Sequence, residues 1–165
     1  EFPHGTLCGA DRAAVADAER WGDAVLQPLP RRLIRWGLRR RLRQRQWFAD
    51  VASPLPAPRL AGTVLTPIAP VFARIAGADD AQVRRDLERL PELLDEVDRL
   101  IAQGVIGGEQ LNAADFQIGP SIRMLLAMAD LAHLVADRPA ATLAQRVVPA
   151  HPVIPAALPA DWIRP

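Results

Sequence analysis

Few residues of this chain carry chemistry on their own, and their spacing limits what that chemistry is. His4, His133 and His151 are too dispersed to hold a metal ion, and no pair of cysteines is present to help them. Cys8 stands alone, which excludes a disulfide within the chain and fits a reducing cytoplasm. A reactive thiolate at Cys8 would need a pKa lowered by positive charge or by a helix N-terminus nearby. A helix expected from Asp11 is the one such feature at hand. No serine sits in a glycine elbow, so a hydrolase triad has no support, and no glycine-rich phosphate loop occurs. No catalytic residue and no metal site is assigned.

The most unusual chemistry is a run of arginines. Arg31, Arg32, Arg35, Arg39, Arg40, Arg41, Arg43 and Arg45 fall between Asp23 and Asp50 with no acid among them, interleaved with Leu33, Ile34, Trp36, Leu38, Leu42 and Trp47. A basic amphipathic helix of this kind could lie on an anionic membrane or along a phosphate backbone. The alternative has its apolar face in the core and its arginines in water, or paired with the acids between Asp79 and Asp98. The second is the expectation, because a net charge of +1 gives no global pull towards nucleic acid or membranes. The most apolar stretch, 63–75, is too short to span a bilayer and contains Pro67 and Pro70.

The elements that must position these residues are helical. A chain of 165 residues, 50% hydrophobic and 24% charged, has the length and balance of one globular domain. Asp11 is a plausible N-cap, with Ala14, Ala18, Trp21, Val25 and Leu26 following at helical spacing. Pro28 and Pro30 predict a kink or short break before a second helical run that continues to Phe48. Pro54, Pro56 and Pro58 mark a loop, and a third, apolar helix is expected over 60–75. After "GADD", Asp79 should cap a helix whose Val83, Leu87, Leu90, Leu94, Val97 and Ile101 form one stripe, bent at Pro91 and ended by Gly104, Gly107 and Gly108. No stretch alternates apolar and polar residues long enough to suggest a strand. The expected fold is an all-α, multi-helix bundle: a linker-like segment over 1–10, a helical domain over 11–148 and a Pro-rich tail over 149–165.

The stretch "GEQLNAADFQIGPSIRMLL" starts a helix with unusual care. Asn112 as N-cap can accept a hydrogen bond from the N–H of Ala114 or Asp115, and Asp115 can reach back to the N–H of Asn112. Leu111 and Phe116 occupy the two positions of a hydrophobic staple. Pro120 then sits inside the helix, where a lost hydrogen bond costs about 3 kcal/mol unless compensated. The cap compensates by nucleating a helix that its interior weakens. Ile118, Ile122, Leu125, Leu126 and Ala129 give this helix an apolar side, which His133 would extend, so it should be central.

"GGEQLNAADFQIGPSIRMLL" resembles the start of the central helix in the C-terminal domain of glutathione transferases, which carries such a box and staple. Asp115 matches the family's Asp, whereas Asn112 departs from its usual Ser or Thr. "LPELLDEVDRLIAQGVIGGEQL" looks like the preceding helix and loop, and "ADRAAVADAERWGDAVLQPL" like the first helix after the interdomain linker. The resemblance covers the chain from Cys8 to about Val148, less clearly over 31–77.

That resemblance implies a division of labour. The glutathione site and its thiol-activating Tyr, Ser or Cys would lie mainly in an N-terminal thioredoxin-like domain. This chain begins with Glu and has no Tyr and no strand–helix–strand start, so it is expected to be the C-terminal half of a longer, cytoplasmic, homodimeric parent. The parent would conjugate glutathione, its co-substrate, to a small hydrophobic electrophile or act as a glutathione-dependent reductase; this half would wall the pocket for the electrophile, form part of the dimer interface and be inactive alone. The first helix lines that pocket in the family, which points to Arg20, Trp21 and Ala24. Trp162 in "ALPADWIRP" would fold over its mouth. Against this, Trp21 shares the core stripe of Ala18 and Val25, Arg20 could simply be solvated, and Trp162 could anchor the tail. A rival reading makes the same helical domain a non-catalytic interaction module that docks through the Arg-rich helix over 31–45.

Overall fold

The computed structural model describes residues 11–52, 67 and 69–163, and among them every regular element is helical. Cys8, His4, the segment over 1–10, the Pro54–Pro58 loop and the first part of the helix expected over 60–75 lie outside the described residues.

Helix α1 (Arg12–Trp21) starts where Asp11 accepts the Ala13 N–H at 3.0 Å. It passes into a π-helical turn, Gly22–Leu26, in which Gln27 N–H reaches back to Gly22 O at 2.8 Å. Helix α2 (Pro28–Arg40) follows directly. The kink or short break expected around the two prolines takes the form of the π-helical turn and the turn residue Gln27 just before them, and the chain is helical through Pro28 and Pro30 themselves. Both lie in the first turn of α2, where a missing amide leaves little unmade, and the change of register is taken up by the wider turn upstream.

The single run expected through Phe48 is instead split at Arg41, whose backbone is extended, and α3 (Leu42–Ala52) turns back against α2. Three side chains fix that corner. Gln44 packs onto Gly37 so closely that a Cβ there would collide with it. Arg45 donates to Leu38 O and Arg39 O at 2.8 and 3.1 Å, covering carbonyls at the end of α2. Arg41 and Gln44 donate to Ala157 O and Pro155 O at 3.0 and 2.7 Å. The break thus depends on partners more than a hundred positions away.

Helix α4 (Ala69–Ile75) leads through Gly77, at φ 62°, into α5 (Asp80–Ala102), where Asp79 accepts the Gln82 N–H at 2.7 Å. Helix α5 stays continuous through Pro91, which lies on its exposed side. Its stripe is buried as expected at Val83, Leu87, Leu90, Leu94 and Val97, while Ile101 is half-buried against the core. Helix α6 (Ala113–Ala127) is the hub, packed against α1, the π-helical turn, α2, α7 (Ala132–Val135) and α8 (Pro139–Val147). Two glycines permit this. A Cβ at Gly22 would lie 2.8 Å from Ile118 Cγ1, and one at Gly119 would lie 2.8 Å from Val147 Cγ2. Ile118, Ile122 and Leu125 are fully buried between these contacts. Pro120 faces solvent.

The helix ends at Ala127, earlier than its apolar pattern suggests. Ala129 and His133 are therefore exposed and do not continue its buried side. The chain turns there because Met128 pairs with Ile154: Ala127 O accepts the Ile154 N–H at 2.8 Å and Ile154 O accepts the Ala129 N–H at 3.0 Å. The segment after 148, which reads as a tail from sequence, thus contributes Ile154 and Ala157 to the core. Asp130 holds it further by accepting the N–H groups of Ala157 and Leu158. A 3-10 turn, Ala160–Trp162, closes the described chain.

Candidate functional site: a groove beside the central helix

Everything at the start of α6 is satisfied internally. Asn112 Oδ1 accepts the N–H groups of Ala114 and Asp115 at 2.9 and 3.3 Å. Asp115 Oδ2 accepts the Asn112 N–H at 2.7 Å, so the reciprocal box is complete. The same two side chains also clasp the preceding loop: Asp115 Oδ1 takes the Gly107 N–H at 2.6 Å, and Asn112 Nδ2 donates to Val105 O at 2.8 Å. Gly107, at φ 78°, provides a backbone shape that other residues rarely adopt. Leu111 packs on the core, whereas Phe116 is 52% exposed, leaving the outer half of the staple at the surface. With every polar atom occupied, these residues determine the fold and leave nothing for a substrate.

The space for a ligand lies elsewhere. Because α3 folds back on α2, the two helices open a groove closed on its other sides by α4 and by α6. Ile34 and Leu38 of α2, Phe48 of α3, Ala69 and Phe72 of α4 and Met124 of α6 line it, and its volume is about 440 Å³. That falls within the range of roughly 300–1,000 Å³ usual for small-molecule sites. The wall is almost wholly carbon, and Phe48 and Phe72 are both exposed at the open side. Arg31, Arg35 and Arg45 complete the lining. Long arginine stems can cover such a surface while their charged ends stay wet.

The arginine run divides into two sets. Arg32 forms a two-pronged ion pair with Asp86 at 2.6 and 2.7 Å, and Arg40 pairs with Asp80 at 2.7 Å, so these two tie α2 to α5. Arg31 and Arg35 have no carboxylate partner among the described residues and stand exposed at the groove. Arg45 differs again: its Nη1 is spent on backbone carbonyls, and its Nε is buried without an acceptor among the described residues.

The residues that the sequence points to as substrate-binding do not line this groove. Arg20 pairs with Asp17 on the exposed side of α1, Ala24 is exposed on the π-helical turn, and Trp21 is half-buried against the core. Trp162 packs against Trp36, ring centroids 5.2 Å apart, with the Arg84 guanidinium 4.5 Å above its face. It anchors the C-terminal segment to α2 and α5. The groove residues themselves do not stand out in the sequence. A partial signal exists: 31, 34, 35 and 38 share one face of α2, distinct from the buried face of Leu33 and Trp36. Phe48, Phe72 and Met124 come from three other helices and become neighbours only in the fold.

Trp36 reinforces the α2–α5 joint by donating its Nε1–H to Asp80 at 2.9 Å. That hydrogen bond, and then the Arg40 guanidinium, hold the Asp80 carboxyl below the usual carboxylate range. A depressed folded pKa adds stability above the unfolded chain's pKa, and the gain is lost as pH falls through the folded value. Asp80→Asn is therefore expected to lower the urea midpoint modestly at about pH 6 and by less at about pH 3, below the unfolded carboxylate's pKa, with an effect below about 1 kcal/mol for so exposed a group. Equal losses at both pH values would show that the charge contributes nothing.

Among the described residues no group of three or more His, Cys, Asp or Glu side chains could hold a metal ion, and no helix is long and apolar enough to cross a membrane. No family model, no curated protein and no solved structure matches this chain.

Proposed function

We propose that this chain is the C-terminal helical domain of a glutathione transferase-like protein, and that the groove beside α6 is its wall of the hydrophobic co-substrate site. The observation that carries the reading is the buried box of Asn112 and Asp115, which starts the hub helix and clasps the loop before it. That is the local structure on which the family resemblance rests. In the proposed parent, a cytoplasmic homodimer, glutathione is held and its thiol deprotonated by a thioredoxin-like domain preceding this one. The thiolate sulfur attacks the electrophilic carbon, the leaving group departs with its electron pair, and the thiol proton passes to a base in that other domain. The helical domain contributes positioning: Ile34, Leu38, Phe72 and Met124 hold the apolar body of the electrophile and keep water from it.

The test is made on the complete gene product that contains this chain. Retention on immobilised glutathione, together with glutathione-dependent consumption of 1-chloro-2,4-dinitrobenzene, is the expected result. A gene product without a thioredoxin-like domain, or one that ignores glutathione, overturns it. The second reading, a non-catalytic interaction module, draws on the exposed Arg31, Arg35, Arg39 and Arg43 of α2 and α3. A salt-sensitive complex with a protein or RNA, lost when these arginines are replaced, would support that reading instead.

A further inference from the structure

We infer that the groove takes an amphiphile with an apolar body and a single anionic head, held head-outward against Arg31 and Arg35. The inference rests on the proposed reading of the groove as the co-substrate site and specifies its ligand class. Two observations give the two halves of the ligand. The carbon-walled interior, floored by Met124 and flanked by Phe48 and Phe72, offers partners only to an apolar body. Its volume of about 440 Å³ suits a small molecule. The head is set by charge. The arginines at the groove are all cations, and no acid is among its described lining residues.

The pairing elsewhere on α2 makes this specific. Arg32 and Arg40, on the neighbouring face of α2, have Asp86 and Asp80. Arg31 and Arg35 are four positions apart, so their side chains lie side by side on the face that borders the groove. Like charges so placed repel each other, and one shared anion between them relieves that repulsion. A cationic head would meet the Arg31 and Arg35 guanidinium groups with no acid among the described lining residues to answer its charge. A neutral alcohol would bury its body as well but gain nothing at the rim.

The experiment is isothermal titration of the full 165-residue chain with dodecanoate, below its micellar concentration, and with dodecanol. Dodecanoate is expected to bind saturably, one per chain and about fivefold or more tighter than dodecanol. Replacing Arg31→Gln and Arg35→Gln together should bring the two affinities to within about twofold of each other. Phe72→Glu, at an exposed position where the fold tolerates it, should weaken dodecanoate by about tenfold or more. Thermal unfolding of each variant confirms that it is folded. Equal affinity for dodecanoate and dodecanol overturns the anionic head and leaves the hydrophobic site standing. No binding of either ligand overturns both, whatever the complete gene product does with glutathione. Dodecanoate binding unaffected by Phe72→Glu places the ligand elsewhere and overturns the assignment. Co-sedimentation with phosphatidylserine vesicles, without saturable binding of free dodecanoate, overturns it in favour of a membrane surface.

Discussion

Asp115→Ala is expected to lower the free energy of unfolding by about 3 kcal/mol or more, since each buried amide left without its partner costs about 1–3 kcal/mol. The carboxylate is fully buried and accepts two backbone N–H groups, those of Asn112 and Gly107. Removing it orphans both donors at once, and it also removes a negative charge from the positive end of α6, where it contributes a further few tenths to one kcal/mol. The loss reaches beyond the cap. Gly107 is released from α6, and the same loop is held from the other side by Arg146 of α8, which donates to Gly107 O and Gly108 O at 2.9 and 2.8 Å. Urea unfolding of the variant against the parent chain measures the effect. Asp115→Asn, which keeps one acceptor oxygen, should recover part of the loss. A loss below about 1 kcal/mol for Asp115→Ala would mean that water replaces the carboxylate, and that the box does little to hold the hub helix.

The start of α6 is legible in the sequence because a capping box is local: cap and reciprocal acid are three positions apart and leave a pattern of residue types. The same holds for Asp11 and Asp79, which cap as their spacing says. What is not legible depends on distant partners. The corner at Arg41 is pinned by Pro155 and Ala157, and without them the run to Phe48 keeps a helical pattern. The early end of α6 depends on Ile154 pairing with Met128, and that pairing exposes Ala129 and His133. Pro28 and Pro30 mark the junction but not its position: a proline breaks a helix interior but is well placed in a first turn, so the irregular turn lies before them and α2 begins at Pro28. The groove is hidden for the same reason as the corner, since its six apolar residues come from four helices.

Arg32→Ala is expected to cost about 2–3 kcal/mol. Breaking a fully buried ion pair from one side costs about 3–5 kcal/mol, and the partial exposure of Arg32 reduces that figure. Asp86 is 2% exposed and receives two hydrogen bonds from Arg32, with a third from Gln82 Nε2 at 3.0 Å. Without the guanidinium, a carboxylate is left buried between α2 and α5 with one neutral donor. By contrast, Arg35→Ala, three positions along the same helix and exposed, should change stability by less than about 0.5 kcal/mol. The pair of chemical unfolding curves separates arginines that hold the fold from those left for a ligand. Equal effects at the two positions would remove that distinction and, with it, the charge argument for the groove.

The chain's two methionines report directly on whether a hydrophobic ligand sits beside the hub helix. Met124 lines the groove, while Met128, four residues later, is buried where the C-terminal segment crosses. In a sample with ¹³C-labelled methionine methyl groups, titration with dodecanoate should move the Met124 signal saturably and leave the Met128 signal in place. Both signals moving together, or Met124 staying fixed while ligand binds, would contradict the account.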